Sequence, residues 1–543
     1  MKKNWLIIAI IFGSFILRAV NLDKYPSGLN ADEAALGYNA YSLIQTGKDE
    51  HGIAWPLVFR SFDDYKPPFY VYVTIPFVKL FGLNIWSVRL PSALAGVISV
   101  YLLYLLVKEI FKDKKYLPEL SALLLTISPW HIHFSRGAWE VNLSTMLILF
   151  GVYMFLKSLS NKFYFYFFVA AFVLSLYTYH SARIIAPLIA ISLFLNYFKD
   201  LFQKKNTKTL TICILMGIIF ALPVAFQLFS KEGQSRFSGV SIFSDRGPLS
   251  WVEEMRRTNS EPNSIFTKIK YNKYSAYAAK FVNNYFLHFS PNFLFINGDK
   301  IDRSRVPGYG QLLPILLPFV LIGFIYLILH NKRESLIVLS WLFFSPVAAS
   351  LTYQSPHALR AENMIIPLIV ITSVGVYQFL FYFKKWKSVL VYAGLIILIG
   401  LIYQFSGYLY SYFYRYQREL PTAWQYGFSE LVSYLNNNSD KYKKIIISTR
   451  YDQPYILMAF FEKYPAEKLQ EELVMSKRDN YGFSTGTSFN KYEFKKIEIT
   501  KDINQTNTLL VIADEPINDE IPIKVIKSIG GQEIFKLIES HDK

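Results

Sequence analysis

From Asn4 to Phe405 the chain alternates between apolar runs of near-spanning length and short polar stretches rich in Lys and Arg. Eleven runs read as membrane spans: Asn4 to Val20, Ile85 to Phe111, Leu117 to Phe134, Val141 to Leu156, Phe163 to Tyr179, Ile184 to Phe198, Leu210 to Phe229, Leu312 to Leu329, Leu336 to Leu351, Met364 to Phe383 and Leu390 to Phe405. Pro67 to Phe81 is short and starts with two prolines. It fits a helix in the outer interface better than a span, because the lysines after Ile85 to Phe111 mark that run as the inward one.

Basic residues follow every second run, and the positive-inside rule turns them into an orientation. Lys2 and Lys3 put the N-terminus in the cytoplasm. The clusters Lys108, Lys112, Lys114 and Lys115, then Lys157 and Lys162, then Lys199, Lys204, Lys205 and Lys208, then Lys332 and Arg333, then Lys384, Lys385 and Lys387 fall in the inner loops. No small-residue cleavage site follows Ile7 to Val20, so the first run is read as an uncleaved span. Two outer loops are long, 21–84 and 230–309. Aromatic residues spaced by three and four between Tyr271 and Phe286 predict an amphipathic helix lying on the site.

After Tyr416 the pattern changes. Helical stretches (Trp424 to Leu435, Pro454 to Lys463) alternate with short β-rich ones (Lys444 to Ser448, Leu509 to Ala513, Ile523 to Ile526). The expectation is a transmembrane domain over 1–416 and a small extracytoplasmic α/β domain over 417–543, with a docking or lid role.

Composition agrees with the pattern. Hydrophobic residues make up 52% of the 543 and charged ones only 18%, against the quarter usual in soluble chains. The net charge of +17 would suggest nucleic acid in a soluble protein; here it sits in loops that set topology, and nucleic acid is set aside. The single cysteine, Cys213, rules out an intrachain disulfide and a Cys-based metal site.

The chemistry gathers at the outer face. Asn30-Ala31-Asp32-Glu33 has two readings: a capping box opening a helix, and a carboxylate pair just outside the membrane. Tyr65-Lys66-Pro67-Pro68 follows. Asp32 is read as a catalytic base with Glu33 beside it, and Lys66 as a contact for an anionic leaving group. Glu140, after the third run, is a second carboxylate. Arg136, Arg183 and Arg360 suit a lipid-linked phosphate, because a guanidinium stays charged and binds two oxygens; a snorkelling role fits Arg183 equally. Arg18 and Arg89 are weaker candidates. His180, His357 and Tyr65 are possible substrate contacts. His131 and His133 read as interfacial histidines or as an H-x-H ligand pair. A sugar lipid with its phosphate among these cations, attacked in line by a hydroxyl that Asp32 deprotonates, would react with inversion.

Several pieces carry a resemblance. Asp32-Glu33, the run Tyr65 to Tyr70, Arg89 to Gly96, Phe134-Ser135-Arg136, Tyr177 to Arg183 and Pro356 to Arg360 resemble, in order and topology, the GT-C glycosyltransferases of family 39. That family includes protein O-mannosyltransferases and bacterial lipid A aminoarabinose transferases, and the resemblance covers Met1 to Phe405. It implies a GT-C fold, a polyprenyl-phosphate sugar donor and an acceptor hydroxyl on a lipid, glycan or protein outside the cytoplasm, with the chain in the plasma membrane. Asp32 maps to the family's base, Glu140 to its acidic residue after the third span, and Lys66 to its lysine before paired prolines. Phe69 stands where the lipid A enzymes have a metal-binding acid, so a divalent ion stays an open question. The loop 230–309 is too short for the β-trefoil of the eukaryotic mannosyltransferases. The competing expectation is a polyprenyl-lipid transporter or flippase.

Overall fold

The computed structural model describes residues 4–201, 207–230, 239–330, 332–479 and 484–541. Lys2, Lys3, Lys204 and Lys205, used above for orientation, lie outside the described residues. The chain divides into two compact units. The first is Met1–Ser14, Gly96–His133 and Val141–Tyr408; the second is Phe15–Ala95, Phe134–Glu140 and Leu409–Lys543.

Each of the eleven apolar runs contains a helix. Among the described residues, five helices are long and apolar enough to cross a membrane: Ile85–Ile110, Glu140–Ser158, Lys208–Phe229, Glu362–Lys385 and Lys387–Glu419. The other apolar runs fold as shorter helices. Two of them break at proline, which lacks the N–H and crowds the preceding turn. The third gives Leu117–Thr126 and Pro129–Arg136, and the ninth Arg333–Phe344 and Val347–Ser350, with Pro346 between. The last run, expected to stop at Phe405, stays helical from Lys387 to Glu419 through a wider turn at Ser411–Arg415. Its tyrosines there are as compatible with helix as the aliphatic residues before them. The chain is a helical membrane protein with a C-terminal sheet region.

Within the first unit, helices Leu317–Leu329 and Ile365–Tyr382 cross at two glycines. A Cβ on Gly323 would stand 1.9 Å from the Ile371 carbonyl oxygen, and one on Gly375 1.8 Å from that of Phe319. Only residues without side chains let the backbones approach so closely, which is how helices pack where burial from water gives no drive. The long outer loop holds helices Gly247–Thr258, Ile265–Lys270 and Lys273–Leu287. The last matches the amphipathic helix expected from the aromatic spacing, and an Asn272–Ser275 capping box opens it.

Among its described residues the second unit contains the helices Ala31–Thr46 and Phe69–Phe81 and nine strands: β1 (Phe59–Ser61), β2 (Asp64–Lys66), β3 (Lys444–Ser448), β4 (Val474–Met475), β5 (Gly486–Phe489), β6 (Tyr492–Lys495), β7 (Thr508–Ile512), β8 (Lys524–Lys527) and β9 (Glu533–Glu539). β1 and β2 form an antiparallel hairpin. The other seven form one sheet in the order β4-β5-β6-β3-β7-β9-β8, with β3 parallel to both β6 and β7. The apolar strands β3 and β7 are buried on both faces, as central parallel strands are. Ile446, Leu510, Ile512 and Ile538 pack on one side against Ile497, Ile499 and Ile503. The helix Ala31–Thr46 packs against Phe69–Phe81 and against the helices Pro454–Glu462 and Ala466–Glu472 of the C-terminal region.

Gly375→Val is expected to lower the unfolding midpoint in detergent, at a cost of about 1–3 kcal/mol from overpacking. Gly394→Val is the control, because nothing lies within 4 Å of a Cβ there. Equal midpoints for the two variants would refute the tight crossing.

Candidate active site

The capping-box reading of Asn30-Ala31-Asp32-Glu33 is what the structure shows. The Asn30 side chain accepts from the Glu33 N–H (3.2 Å) and the Glu33 carboxylate accepts from the Asn30 N–H (3.3 Å), a complete capping box. Glu33 is then sealed. Its carboxylate takes the Arg89 guanidinium through Nε and Nη2, both at 2.8 Å, and the Ala138 N–H at 2.7 Å. Arg89 gives its remaining donors to the carbonyls of Leu22 (3.1 Å), Pro26 (2.9 Å) and Gly28 (2.6 Å). All five guanidinium N–H groups are satisfied, and Trp424 covers the cation at 5.3 Å. Neither side chain of this pair is exposed.

Asp32, one residue earlier, keeps a third of its side chain exposed. The Lys66 Nζ lies 2.5 Å from its Oδ1. Lys66 sits at the end of β2, and the hairpin turn behind it places Phe62 and Asp63 in the left-handed region (φ 59° and 61°). That conformation suits a two-residue hairpin but disfavours a bulky side chain, so the turn needs outside support. It has three points of it. Arg60 (2.6 Å) and Arg478 (3.1 Å) bond the Asp63 carboxylate, the Ser484 N–H donates to the Phe62 carbonyl (3.1 Å), and the Phe62 ring meets Tyr455 edge-on at 6.0 Å. Burial opposes the Lys66 charge, but Asp32, Glu140 and Asp64 more than offset it and hold the ammonium above its ordinary pKa. Burial likewise opposes the Asp63 charge, and the two arginines hold its carboxyl below the usual range. Asp32, Lys66 and Glu140 thus form one electrostatic group, with Glu140 at the N-terminus of its helix, where the dipole favours a carboxylate.

Arg136 belongs to the same unit, but its guanidinium is committed to backbone. Nη1 donates to Leu17 O (2.8 Å) and Nη2 to the carbonyls of Val20 (2.9 Å), Asn21 (3.1 Å) and Tyr25 (3.1 Å). Tyr65 is half-buried opposite Arg60 in the hairpin. Arg18 is fully buried.

The first unit carries the remaining candidates. Arg183 donates to the Gln227 side chain (2.8 Å) and to Leu176 O (3.3 Å), and the half-buried His180 shares its turn. His357 and the half-buried Arg360 share the loop after the cis peptide Ser355-Pro356. Three residues missed in the sequence hold that loop. The Asp299 carboxylate accepts from the Ala358 N–H (2.6 Å) and faces His357 Nδ1 at 3.4 Å. His288 accepts from the His357 N–H (3.2 Å) on Nε2 while Nδ1 donates to Asn284 O (2.8 Å), which fixes a neutral ring. Asn284 bonds the carbonyls of Ser350 and Thr352. Burial lowers His288 and His357 to about 4, and Arg360 pushes His357 the same way. His133 lies with Nε2 2.9 Å from Arg303 O. Among the described residues no three His, Cys, Asp or Glu side chains are grouped as metal ligands.

Residues 65–226, which include the lysine of this site, match the dolichyl-phosphate-mannose-protein mannosyltransferase family. Over the whole chain, the fold is similar to that of ArnT from Cupriavidus metallidurans bound to undecaprenyl phosphate, with a TM-score of 0.55, 12% identity and coverage of 99% of this chain and 98% of that one. The chain shares its fold with ArnT, and its residues 65–226 are similar to that mannosyltransferase family. A second similar structure is the archaeal oligosaccharyltransferase AglB from Archaeoglobus fulgidus, in complex with an inhibitory peptide and a dolichol-phosphate. Its TM-score is 0.50 at 13% identity, with 84% of this chain and 64% of that one covered. The putative mannosyltransferase YycA of Bacillus subtilis (strain 168) is 37% identical over 83 residues; these span 15% of this chain and 11% of that relative.

One buried group near the site titrates in an accessible range. Burial pushes Glu50 up to about 8, with Asp49 adding to it and the bonds from Asn39 and Tyr455 opposing. The folded chain therefore keeps a proton that the unfolded chain releases near pH ~4.3. Its contribution to stability is full below that value and is lost as the pH rises through about 8. Glu50→Gln is expected to melt higher than the wild type at pH 8 and nearly with it at pH 5. The same offset at both values would contradict the buried, protonated carboxyl.

Proposed function

We propose that this protein transfers a sugar from a polyprenyl-phosphate donor to a hydroxyl of a lipid, glycan or protein outside the cytoplasm, with inversion. The observation that carries the reading is the different treatment of two neighbouring carboxylates. Glu33 is locked in a buried ion pair, whereas Asp32 stays partly exposed and is paired with Lys66.

In the mechanism we draw, the donor phosphate enters beside Lys66 and takes over its ammonium. That frees the Asp32 oxygen which Lys66 occupies in its absence. Asp32 then accepts the proton of the acceptor hydroxyl as its oxygen bonds to the anomeric carbon. The bond from that carbon to the phosphate oxygen breaks on the opposite side, and its electrons leave with the phosphate, whose growing charge Lys66 balances. Glu140 keeps Lys66 charged. Glu33, Arg89 and Arg136 are frame residues in this scheme, not reacting ones. Arg183 and Arg360 are our candidates for further phosphate contacts, and His180, His357 and Tyr65 for substrate contacts.

The bound undecaprenyl phosphate of the ArnT structure and the dolichol-phosphate of the AglB structure support the class of donor. We place the site and residues 417–543 outside the cytoplasm, on the distribution of Lys and Arg. In proteoliposomes with polyprenyl-phosphate sugars, Asp32→Asn should fold like the wild type and lose transfer by about 10²–10⁴-fold, the usual share of a general base. Near-normal turnover would remove Asp32 from the mechanism. Lipid flipping by the wild type without any transfer would replace the whole reading with transport.

A further inference from the structure

We infer that Gln425 is a positioning residue for Asp32, and that through it the C-terminal sheet is part of the catalytic unit. The inference rests on Asp32 being the base.

Gln425 follows the short turn Pro421–Trp424 and is held in the left-handed region (φ 50°, ψ 48°), where a residue other than glycine stays only if its surroundings fix it. Its side chain is the reason it is fixed. Oε1 accepts from the Ala31 N–H at 2.6 Å, and Nε2 donates to the Asp452 carbonyl, just past the end of β3. Ala31 opens the helix that carries Asp32, and the first N–H groups of a helix have no partner within it. The Asn30 side chain serves the Glu33 N–H. Gln425 serves the one that directly precedes Asp32.

Two more contacts from the same stretch act on the same loop. The Gln417 side chain accepts from the Ser27 N–H at 2.5 Å. The Trp424 carbonyl lies against Gly28, where a Cβ would stand 2.4 Å from it and where φ is +91°. Residues 27–31 are thus gripped three times by residues 417–425. The hairpin that brings Lys66 to Asp32 is held by Arg478 and Ser484, also from the C-terminal region. Both members of the Asp32–Lys66 pair therefore take their position from this region. A domain that merely docked a partner would have no need to satisfy the helix amide next to the base.

The test compares Gln425→Ala and Gln425→Glu with the wild type in the full chain, by hydrogen exchange of peptides covering Ala31 and by transfer kinetics. In Gln425→Ala the exchange near Ala31 should rise while the core strand β7 stays protected. The kcat should fall by about ten- to a hundredfold, as a misplaced reacting group costs, with KM for the donor lipid unchanged. Gln425→Glu keeps the acceptor for the Ala31 N–H but loses the donor to the Asp452 carbonyl, and should recover both in part. Unchanged exchange near Ala31 overturns the inference, as does raised exchange with normal kcat. Exchange raised throughout the sheet overturns it too, in favour of a general structural role. The exchange arm does not depend on turnover: if Asp32→Asn is fully active, the assignment of the base falls while the Gln425 contact is still decided.

Discussion

The second unit is organised around one buried ion pair, Glu33 with Arg89. Taking two charges out of water costs several kcal/mol each unless geometry and hydrogen bonding are nearly complete. Here they are complete: the guanidinium gives every N–H, and the carboxylate receives Arg89, the Ala138 N–H and the Asn30 N–H. Satisfying Arg89 requires the carbonyls of residues 22–28 to curl around it, which shapes the loop before the helix. Satisfying Glu33 requires Ala138 to come close, which fixes the segment that leads to Glu140. Losing one partner would strand the other charge, at about 3–5 kcal/mol.

That commitment sets Asp32 apart. Adjacent carboxylates on one helix turn point to different sides, so the neighbour of a sealed glutamate is free to face outward. What it meets is Lys66, delivered by a hairpin whose turn is unfavourable for Phe62 and Asp63 and is held by Arg60, Arg478 and Tyr455. Asp32 is partly exposed, unlike either member of the Glu33–Arg89 pair, and partner exchange there is what we propose for an arriving anion. A fully buried pair and a partly exposed one thus stand on neighbouring residues of one helix start.

Much of this was readable in the chain. Apolar runs marked the helices, because in lipid the backbone must satisfy itself within each segment. The capping box was visible as Asn30 with Glu33, and the amphipathic stretch 271–286 as regular aromatic spacing. Strand β3 was found at its observed bounds because three isoleucines in a row suit a strand buried on both faces. The breaks at Pro129 and Pro346 were missed because hydrophobicity alone does not see a missing N–H.

The frame residues were harder for a physical reason. Arg136 reads as a phosphate ligand in the sequence; the carbonyls it holds at Leu17 to Tyr25 leave no mark there. Asp299 and His288 lie more than fifty positions before the loop they hold. Trp424 and Gln425 sit in a stretch expected to be an ordinary helix, and their roles come from a left-handed turn that no local pattern announces.

In the proposed reaction Lys66 leaves Asp32 for the donor phosphate. A structure of the protein bound to a polyprenyl phosphate tests it most directly. The phosphate is expected within hydrogen-bonding distance of the Lys66 Nζ, with the Asp32–Lys66 contact lengthened or broken and the Glu33–Arg89 pair unmoved. A phosphate bound elsewhere, with Lys66 still seated on Asp32, would contradict it.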